Sequence, residues 1–280
     1  MTKPKLLVLA AVVAIAAAAG ITAAALSSPD TQPAKPCDIP NSVQEHPVSA
    51  KTAPGGGGIE VAEKGISSTG LASMGAILRN TSNQIAYRTK ARLDVSLVLD
   101  GVEQGFDGPQ LTMEIPAILP GQQVGLGRPL MALNANDKIA SADVDIQTTT
   151  WLPPGALGSF APPAATYEST DRASVSPPAD AVRYKETSPN CRALANRRTA
   201  VIFRDATGAI TGGDLVPPDG KGNPPGTPQQ PPGSASCSPG TRTTWIVPLQ
   251  HIPPETADPR TTLYPYCDLT APRPDPNDTF

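Results

Sequence analysis

Four cysteines, Cys37, Cys191, Cys237 and Cys267, are the residues with the clearest chemistry in this chain. No two of them have the short spacing of a zinc knuckle, so we predict no metal site. In an exported protein an even number of cysteines indicates disulfides, here two. Three connectivities are possible, and complete pairing requires a bond from Cys37 to the C-terminal half. The alternative is that Cys37 remains a free thiol.

Side chains suited to acid–base or nucleophilic catalysis are few. The only histidines, His46 and His251, lie in proline-containing segments, and the sequence has no G-x-S-x-G, S-x-x-K, H-E-x-x-H or C-x-x-C motif. Asp143 and Asp145 are spaced as paired carboxylates, but they alternate with apolar residues as on the solvent face of a strand. We therefore predict a protein that is not an enzyme and that binds no cofactor.

A row of cations, Arg88, Lys90 and Arg92, lies on one side of the segment "IAYRTKARLDVSLVLD". Such a row on an exposed strand can bind an anionic polymer of the cell envelope, or it can keep a sheet edge from pairing with other chains. We take these three residues as a candidate binding face. The formal net charge of the chain is −3, which argues against nucleic acid as a partner.

The segment that carries these cations has the pattern of a β-strand. Its apolar face consists of Ile85, Tyr87, Ala91, Leu93, Val95, Leu97 and Leu99. A period of two over this length is typical of a half-buried antiparallel strand. Asp100-Gly101 predicts a hairpin turn at its end. Similar alternation at 111–115 and 139–147, with no helical period after the first 26 residues, predicts an all-β fold.

Two similar segments predict an internal repeat. "PGQQVGLGRPL" (120–130) and "PGTRTTWIVPL" (239–249) each contain a Pro-Gly turn, a short stretch and a Pro-Leu exit. Other segments recur in the same order, so we favour two tandem antiparallel β-sandwiches over chance similarity. The predicted boundaries are a first sandwich at 59–151, a Pro/Ala/Ser-rich linker at 152–180, a second sandwich at 181–270 with a Pro-rich insertion at 214–238, and a tail at 271–280.

The N-terminus has the pattern of an export leader. Lys3 and Lys5 precede an uncharged run from Leu6 to Leu26, so residues 1–26 are expected to form a hydrophobic helix. This helix is either a signal peptide that is cleaved or a retained anchor, because about 20 apolar residues cross a bilayer. Residues 27–58 are predicted to form a flexible tether. We predict an exported protein, extracellular or in the cell envelope, that contacts the membrane only through its N-terminal segment.

The stretch "GAILRNTSNQIAYRTKARLDVSLVLDGVEQG" followed by "EIPAILPGQQVGLG" resembles the FxLYD-type immunoglobulin-like domains of exported bacterial proteins. The shared features are an Asn-Thr-Ser turn, a long strand, an Asp-Gly hairpin and a Pro-Gly turn. The resemblance covers about residues 59–151 and, more faintly, 181–270. It implies immunoglobulin-like sandwiches and an accessory module of the cell envelope, similar to uncharacterised bacterial secreted proteins, with no catalytic residues.

These observations predict a non-catalytic secreted or membrane-tethered module of the cell envelope. Its expected partner is an envelope or secreted protein, or an anionic cell-wall polymer. The alternative is a secreted hydrolase whose site is built from loops between the two copies. A deep pocket joining His251 to a carboxylate and a serine would favour the hydrolase.

Overall fold

The computed structural model describes residues 36–43, 50–67, 71–106, 111–132, 138–171, 180–216, 237–248 and 252–270. In this part of the chain the residues from Cys37 onward belong to one compact unit with thirteen β-strands and a short 3-10 helix, Asp258–Arg260. Every strand pairing is antiparallel, so the all-β prediction is confirmed. No helix among these residues is long and apolar enough to cross a membrane. The predicted leader lies outside them.

The first half of the unit, residues 50–152, contains seven strands in two sheets. These are β1 (Ile59–Ser67), β2 (Leu71–Asn80), β3 (Ile85–Leu99), β4 (Val102–Phe106), β5 (Thr112–Ile118), β6 (Gln123–Ala132) and β7 (Lys138–Leu152). In sheet S1, β4 and β5 pair with one edge of β3, and β7 pairs with the other. Sheet S2 has the order β1-β2-β6. Asp100 and Gly101 both have positive φ, as expected for the predicted hairpin turn between β3 and β4.

The second half, residues 160–270, has the same order of strands. Its strands are β8 (Ala164–Asp171), β9 (Ala181–Ser188), β10 (Ala195–Arg204), β11 (Ile210–Val216), β12 (Gly240–Ile246) and β13 (Thr262–Asp268). Sheet S3 has the order β11-β10-β13, and sheet S4 has the order β8-β9-β12. S3 corresponds to S1 and S4 to S2, strand for strand, when β4 and β5 together are matched to β11.

Strand β8 lies inside the segment 152–180, for which we expected only a linker. It pairs with β9 from Ala164 to Asp171. Ala165 and Tyr167 pack against the apolar core of the second half. This strand is short and follows a run of prolines, so its alternation is a weak signal beside the composition of the segment.

The four sheets stack in the order S1, S2, S3, S4. Apolar side chains of S1 and S2, among them Leu93 and Leu78, form a first core. S3 and S4 enclose a second core that contains Phe203 and Tyr184. Between S2 and S3 lies a cluster of three isoleucines, Ile77, Ile202 and Ile210. The two halves therefore meet face to face through S2 and S3.

Glycines make the contact between S2 and S3 unusually close. A Cβ at Gly65 or Gly75 would collide with the backbone of Ile210 or Gly212, and a Cβ at Gly127 would collide with the backbone of Asp214. Two sheets with side chains between them lie about 10 Å apart. Here backbone of one sheet touches backbone of the other, because the side chains that would separate them are absent.

A β-bulge in β3 changes which side chains face the first core. The register of β3 with β7 shifts between Tyr87 and Lys90, and Arg88 has φ +48°. After the bulge the predicted apolar face holds, and its residues Ala91, Leu93, Val95 and Leu97 belong to the first core. Before it, Ile85 and Tyr87 pack instead into a third cluster with Leu157, Phe160 and Cys267. The extra residue of a bulge causes this reversal of faces.

Candidate functional site

A cleft of about 280 Å³ lies where the two halves meet, along strand β13. Three segments line it: Pro116, Ala117, Gln122, Gln123 and Val124 from β5, β6 and the turn between them; Phe160, Pro162, Pro163, Ala164 and Ala165 just before and at the start of β8; and Leu263, Tyr264, Pro265, Tyr266 and Cys267 of β13. Five consecutive residues of β13 line the cleft. A face of a strand exposes only alternate residues, so the cleft runs along the edge of β13.

β13 is an edge strand of S3. It pairs with β10 along its whole length, and no other described strand pairs with its opposite edge. Pro265, at the middle of β13, fits this position because proline lacks the N–H that a strand paired on both sides needs. Alternate residues of an antiparallel strand direct their N–H and C=O to the same edge, so the backbone groups of β13 that face away from β10 can bond to an extended chain.

The described residues that line the cleft are uncharged. None of them is a histidine, serine, carboxylate, lysine or arginine. The hydroxyl of the buried Tyr266 donates to the carbonyl of Gly125 on β6, and burial raises the pKa of Tyr266 far above its ordinary value. This phenol is therefore neutral and structural. The described residues of the cleft can hold a neutral extended segment.

Arg88, one of the predicted binding residues, belongs to a polar cluster with Tyr87 and Asp268 at the end of β13, where the two halves meet. Asp268, at the end of β13, is fully buried; it accepts a hydrogen bond from the Tyr87 hydroxyl (2.9 Å) and from the Leu269 N–H (2.7 Å). An Arg88 guanidinium nitrogen lies 3.6 Å from an Asp268 oxygen, and the guanidinium lies 5.5 Å from the Tyr87 ring centroid. Burial, and then the charge of Asp268, raise the pKa of Tyr87.

The other two predicted binding residues lie on the outer face of S1. Lys90 is exposed and lies opposite Glu114 and Thr148. Arg92 lies opposite Asp145, and its Nε is 3.1 Å from an Asp94 oxygen. The structure therefore places Lys90 and Arg92 on one face and turns Arg88 towards the second half.

Asp143 and Asp145 point outward on the same face, where each forms an ion pair with a lysine. Lys64 lies 3.0 Å from Asp143, and Lys51 lies 2.6 Å from Asp145. The side-chain bond with Lys64, followed by the Val144 N–H, lowers the pKa of Asp143. Both groups are surface carboxylates with alternating charges around them, which is the arrangement of a solvated sheet face.

The cysteines form two disulfides, Cys37–Cys191 and Cys237–Cys267. The first links the N-terminal segment, residues 36–43, to the loop between β9 and β10. That segment belongs to the predicted tether, yet Ile39 is buried against the cluster that contains Leu157 and Phe160. The disulfide explains this contact, because it keeps the segment beside the second half.

A glycine-containing segment of β6 and the two tryptophans have structural positions outside the lining of the cleft. The segment 125–129, "GLGRP", lies in β6, and its two glycines, Gly125 and Gly127, face the second half. Trp151 is buried, and its Nε1 donates to the Ala50 carbonyl (2.9 Å). Trp245 lies on the outer face of S4 opposite Arg183. His46 and His251 lie outside the described residues. Among the described residues no group of three or more histidine, cysteine, aspartate or glutamate side chains could hold a metal.

Glu186 on β9 is a buried carboxylate that sequence reasoning missed. Its residue is fully buried, its Oε1 accepts from the Cys237 N–H at 2.8 Å, and its Oε2 has no hydrogen-bond partner among the described residues. Burial raises the pKa of Glu186, against the opposing effects of the Cys237 N–H and the Arg242 charge. The alternation in "AVRYKETS" is the signal that could have found it, because Glu186 shares a face with Val182 and Tyr184.

No protein-family model, no curated protein and no solved structure matches this chain.

Proposed function

We propose that this chain is an exported, non-catalytic module of the cell envelope that binds an extended segment of a partner protein along β13. In this proposal each half is an immunoglobulin-like sandwich related to the FxLYD type, and the N-terminal leader either anchors the module or is removed after export. The two disulfides support an oxidising compartment outside the cytoplasm. The equal strand order of the halves supports a repeat.

The open edge of β13 inside an uncharged cleft is the observation that carries the binding role. Addition of a strand to a sheet edge gives affinity through main-chain hydrogen bonds and specificity through pockets for alternate side chains. Tyr264 and the prolines around it provide apolar walls for such side chains. The described lining residues add no support to the hydrolase alternative, because none of them carries a side chain that would activate water; His251, on which that alternative depends, lies outside the described residues.

Photo-crosslinking from inside the cleft tests this role. A benzophenone amino acid is placed at Ala164 or at Gln123, which are exposed residues of the cleft, and the protein is irradiated in the cells that export it. Ala140 on β7 is the control, because it is equally exposed and lies outside the cleft. We expect adducts with the same protein from Ala164 and Gln123 and none from Ala140. Adducts from all three positions, or from none, would contradict binding at β13.

A second candidate role is binding of an anionic cell-wall polymer by Lys90 and Arg92. The exposure of Lys90 favours it, whereas the carboxylates of Glu114, Asp94 and Asp145 around the two cations weaken it. The double variant Lys90→Ser/Arg92→Ser tests this role by retention on purified cell wall. Arg88 is left unchanged, since its loss would remove the charge beside the buried Asp268. Unchanged retention would eliminate the polymer role.

A further inference from the structure

The two disulfides differ sharply in accessibility. Cys37 and Cys191 are both exposed. Cys237 and Cys267 are 0% and 4% exposed and belong to the apolar cluster at the junction. Thiol–disulfide exchange requires direct contact between an attacking thiolate and one of the two sulfurs. A reductant in solution can therefore reach Cys37–Cys191 in the folded protein, while the fold shields Cys237–Cys267.

The surroundings of the exposed disulfide make its two sulfurs unequal. The Ser159 Oγ lies 3.9 Å from the Cys191 Sγ, within reach to donate a hydrogen bond to a thiolate. Cys37 is followed by Asp38, whose carboxylate accepts from the Ser159 N–H at 3.0 Å. Positive charge and donors stabilise a thiolate, and negative charge destabilises it. Cys191 is therefore the better leaving thiolate.

We propose that Cys37–Cys191 is a thiol-exchange site that takes the dithiol of an oxidoreductase as its co-reactant. One thiolate of the dithiol attacks the Cys37 Sγ and forms a mixed disulfide, while the bond to Cys191 breaks and its electron pair leaves on the Cys191 Sγ. The second thiol of the dithiol then attacks the mixed disulfide as a thiolate. The dithiol is oxidised to a disulfide, and Cys37 and Cys191, after taking up two protons, are reduced to thiols.

Reduction at this site changes how the N-terminus is attached to the body. In the oxidised protein the chain is fixed covalently to the second half through Cys191. After reduction, residues 36–43 remain on the body only through the burial of Ile39 and contacts such as the bond of 2.6 Å from Arg192 to the Pro40 carbonyl. These contacts are reversible. Reduction therefore removes the covalent link from Cys37 to Cys191 and leaves the described segment 37–43 held against the second half by non-covalent contacts.

Limited reduction with alkylation tests the site. The full-length protein, purified without thiols, is treated with dithiothreitol at neutral pH, samples are trapped with iodoacetamide, and peptides are mapped by mass. We expect Cys37 and Cys191 to be alkylated at least about tenfold faster than Cys237 and Cys267, with unchanged far-UV circular dichroism. Equal rates for the two disulfides, earlier loss of Cys237–Cys267, or resistance of both would overturn the proposal.

The assignment of the leaving thiolate has its own test. With glutathione as a single thiol, the mixed disulfide is expected on Cys37 while Cys191 is alkylated. Ser159→Ala removes the hydroxyl beside the Cys191 Sγ and is expected to slow the reduction of Cys37–Cys191 about threefold or more, and Arg183→Gln, a change of an exposed arginine on β9, is the control that leaves the rate unchanged. Glutathione on Cys191, or equal rates in the two variants, would overturn this assignment.

Discussion

Two equivalent strands, β6 in the first half and β12 in the second, carry different side chains on their outer faces. In the first half, β6 turns Val124 and Leu126 into the core and presents Gly125 and Gly127 to the second half. In the second half, the corresponding strand β12 turns Ile246 into its core and leaves Trp245 on the outer surface. The outer face of S2 is therefore flat enough for another sheet to pack against it. The outer face of S4 carries large and charged side chains and ends the stack.

The repeated Pro-Gly frame does not preserve which residues face inward. Gly121 lies in the turn before β6 and Gly240 is the first residue of β12, and both have positive φ. Three residues after each of these glycines, Val124 is buried and Thr243 is exposed. The two copies of the frame thus contain equivalent strands, β6 and β12, while a shift of one residue decides which face meets the core. The comparison shows that the difference between the halves lies in side chains on one face rather than in topology.

The junction glycines give the largest expected effect, because they are what distinguishes S2 from S4. Gly127→Val places a branched side chain against the backbone of Asp214, and we expect it to lower the free energy of unfolding by about 4 kcal/mol or more. Gly105→Val on β4 is the matched control, since nothing lies within 4 Å of a Cβ there. Urea unfolding checks both. Similar midpoints for the two variants would mean that the sheets are not in backbone contact.

The buried carboxylate at the end of β13 comes next in expected size. Asp268→Ala removes the partner of the Tyr87 hydroxyl and the charge beside Arg88, and we expect a loss of about 3 kcal/mol. Tyr87→Phe keeps the charge pair and is expected to cost about 1 kcal/mol. Combined in one protein, the two changes should cost less than their sum. Strict additivity would show that the bond between the halves contributes nothing to stability.

Glu186 provides a pH-dependent test of the second core. In the unfolded chain it ionises near its ordinary pKa of 4.5, whereas burial raises the pKa in the folded protein. As pH rises, Glu186 loses its proton at a lower pH in the unfolded chain than in the folded protein. The free energy of unfolding therefore falls as pH rises from the ordinary pKa to the raised pKa, and it stays lower above that range. Glu186→Gln removes that fall and should be more stable at neutral pH by about 1 kcal/mol. Urea midpoints at acid and neutral pH measure this, with the exposed Glu103→Gln as the control. A lower urea midpoint for Glu186→Gln than for the unchanged protein at neutral pH would contradict burial of the charge.

The ion pair between Arg204 and Glu63 should have the smallest effect. Their side chains meet across the halves at 2.6 Å, but the Glu63 side chain is 47% exposed. We expect Glu63→Gln to cost about 0.5 kcal/mol, since exposed pairs contribute little. The effect should vanish in high salt, where screening weakens the pair. A larger, salt-independent loss would place this pair among the main links between the halves.

Much of the fold follows from sequence pattern, because strands with one buried face alternate visibly. The alternation of Leu93, Val95 and Leu97 predicted β3, and Asp100-Gly101 predicted its hairpin turn. The bulge at Arg88 was not predictable, since arginine has no preference for positive φ. Because of this bulge, Lys90 and Arg92 lie on one face of β3 while Arg88 points to Asp268.

The junction and the cleft were beyond sequence reasoning for a different reason. Glycines inside strands weaken the strand signal, and they do not reveal which surface approaches them. The disulfide pairing depends on distances between segments far apart in the chain, so cysteine spacing left three connectivities open. The cleft exists only because β5 and β6 of one half lie beside β8 and β13 of the other, and no pattern within either half predicts that arrangement.

Differential scanning calorimetry of the disulfide-bonded protein tests the central claim most directly, namely that the two halves form one folding unit through the glycine junction. We predict a single transition whose calorimetric and van't Hoff enthalpies agree, and two separated transitions in the Gly127→Val protein if it still folds. Two independent transitions in the unchanged protein would contradict the claim and would mean that the halves fold as separate sandwiches.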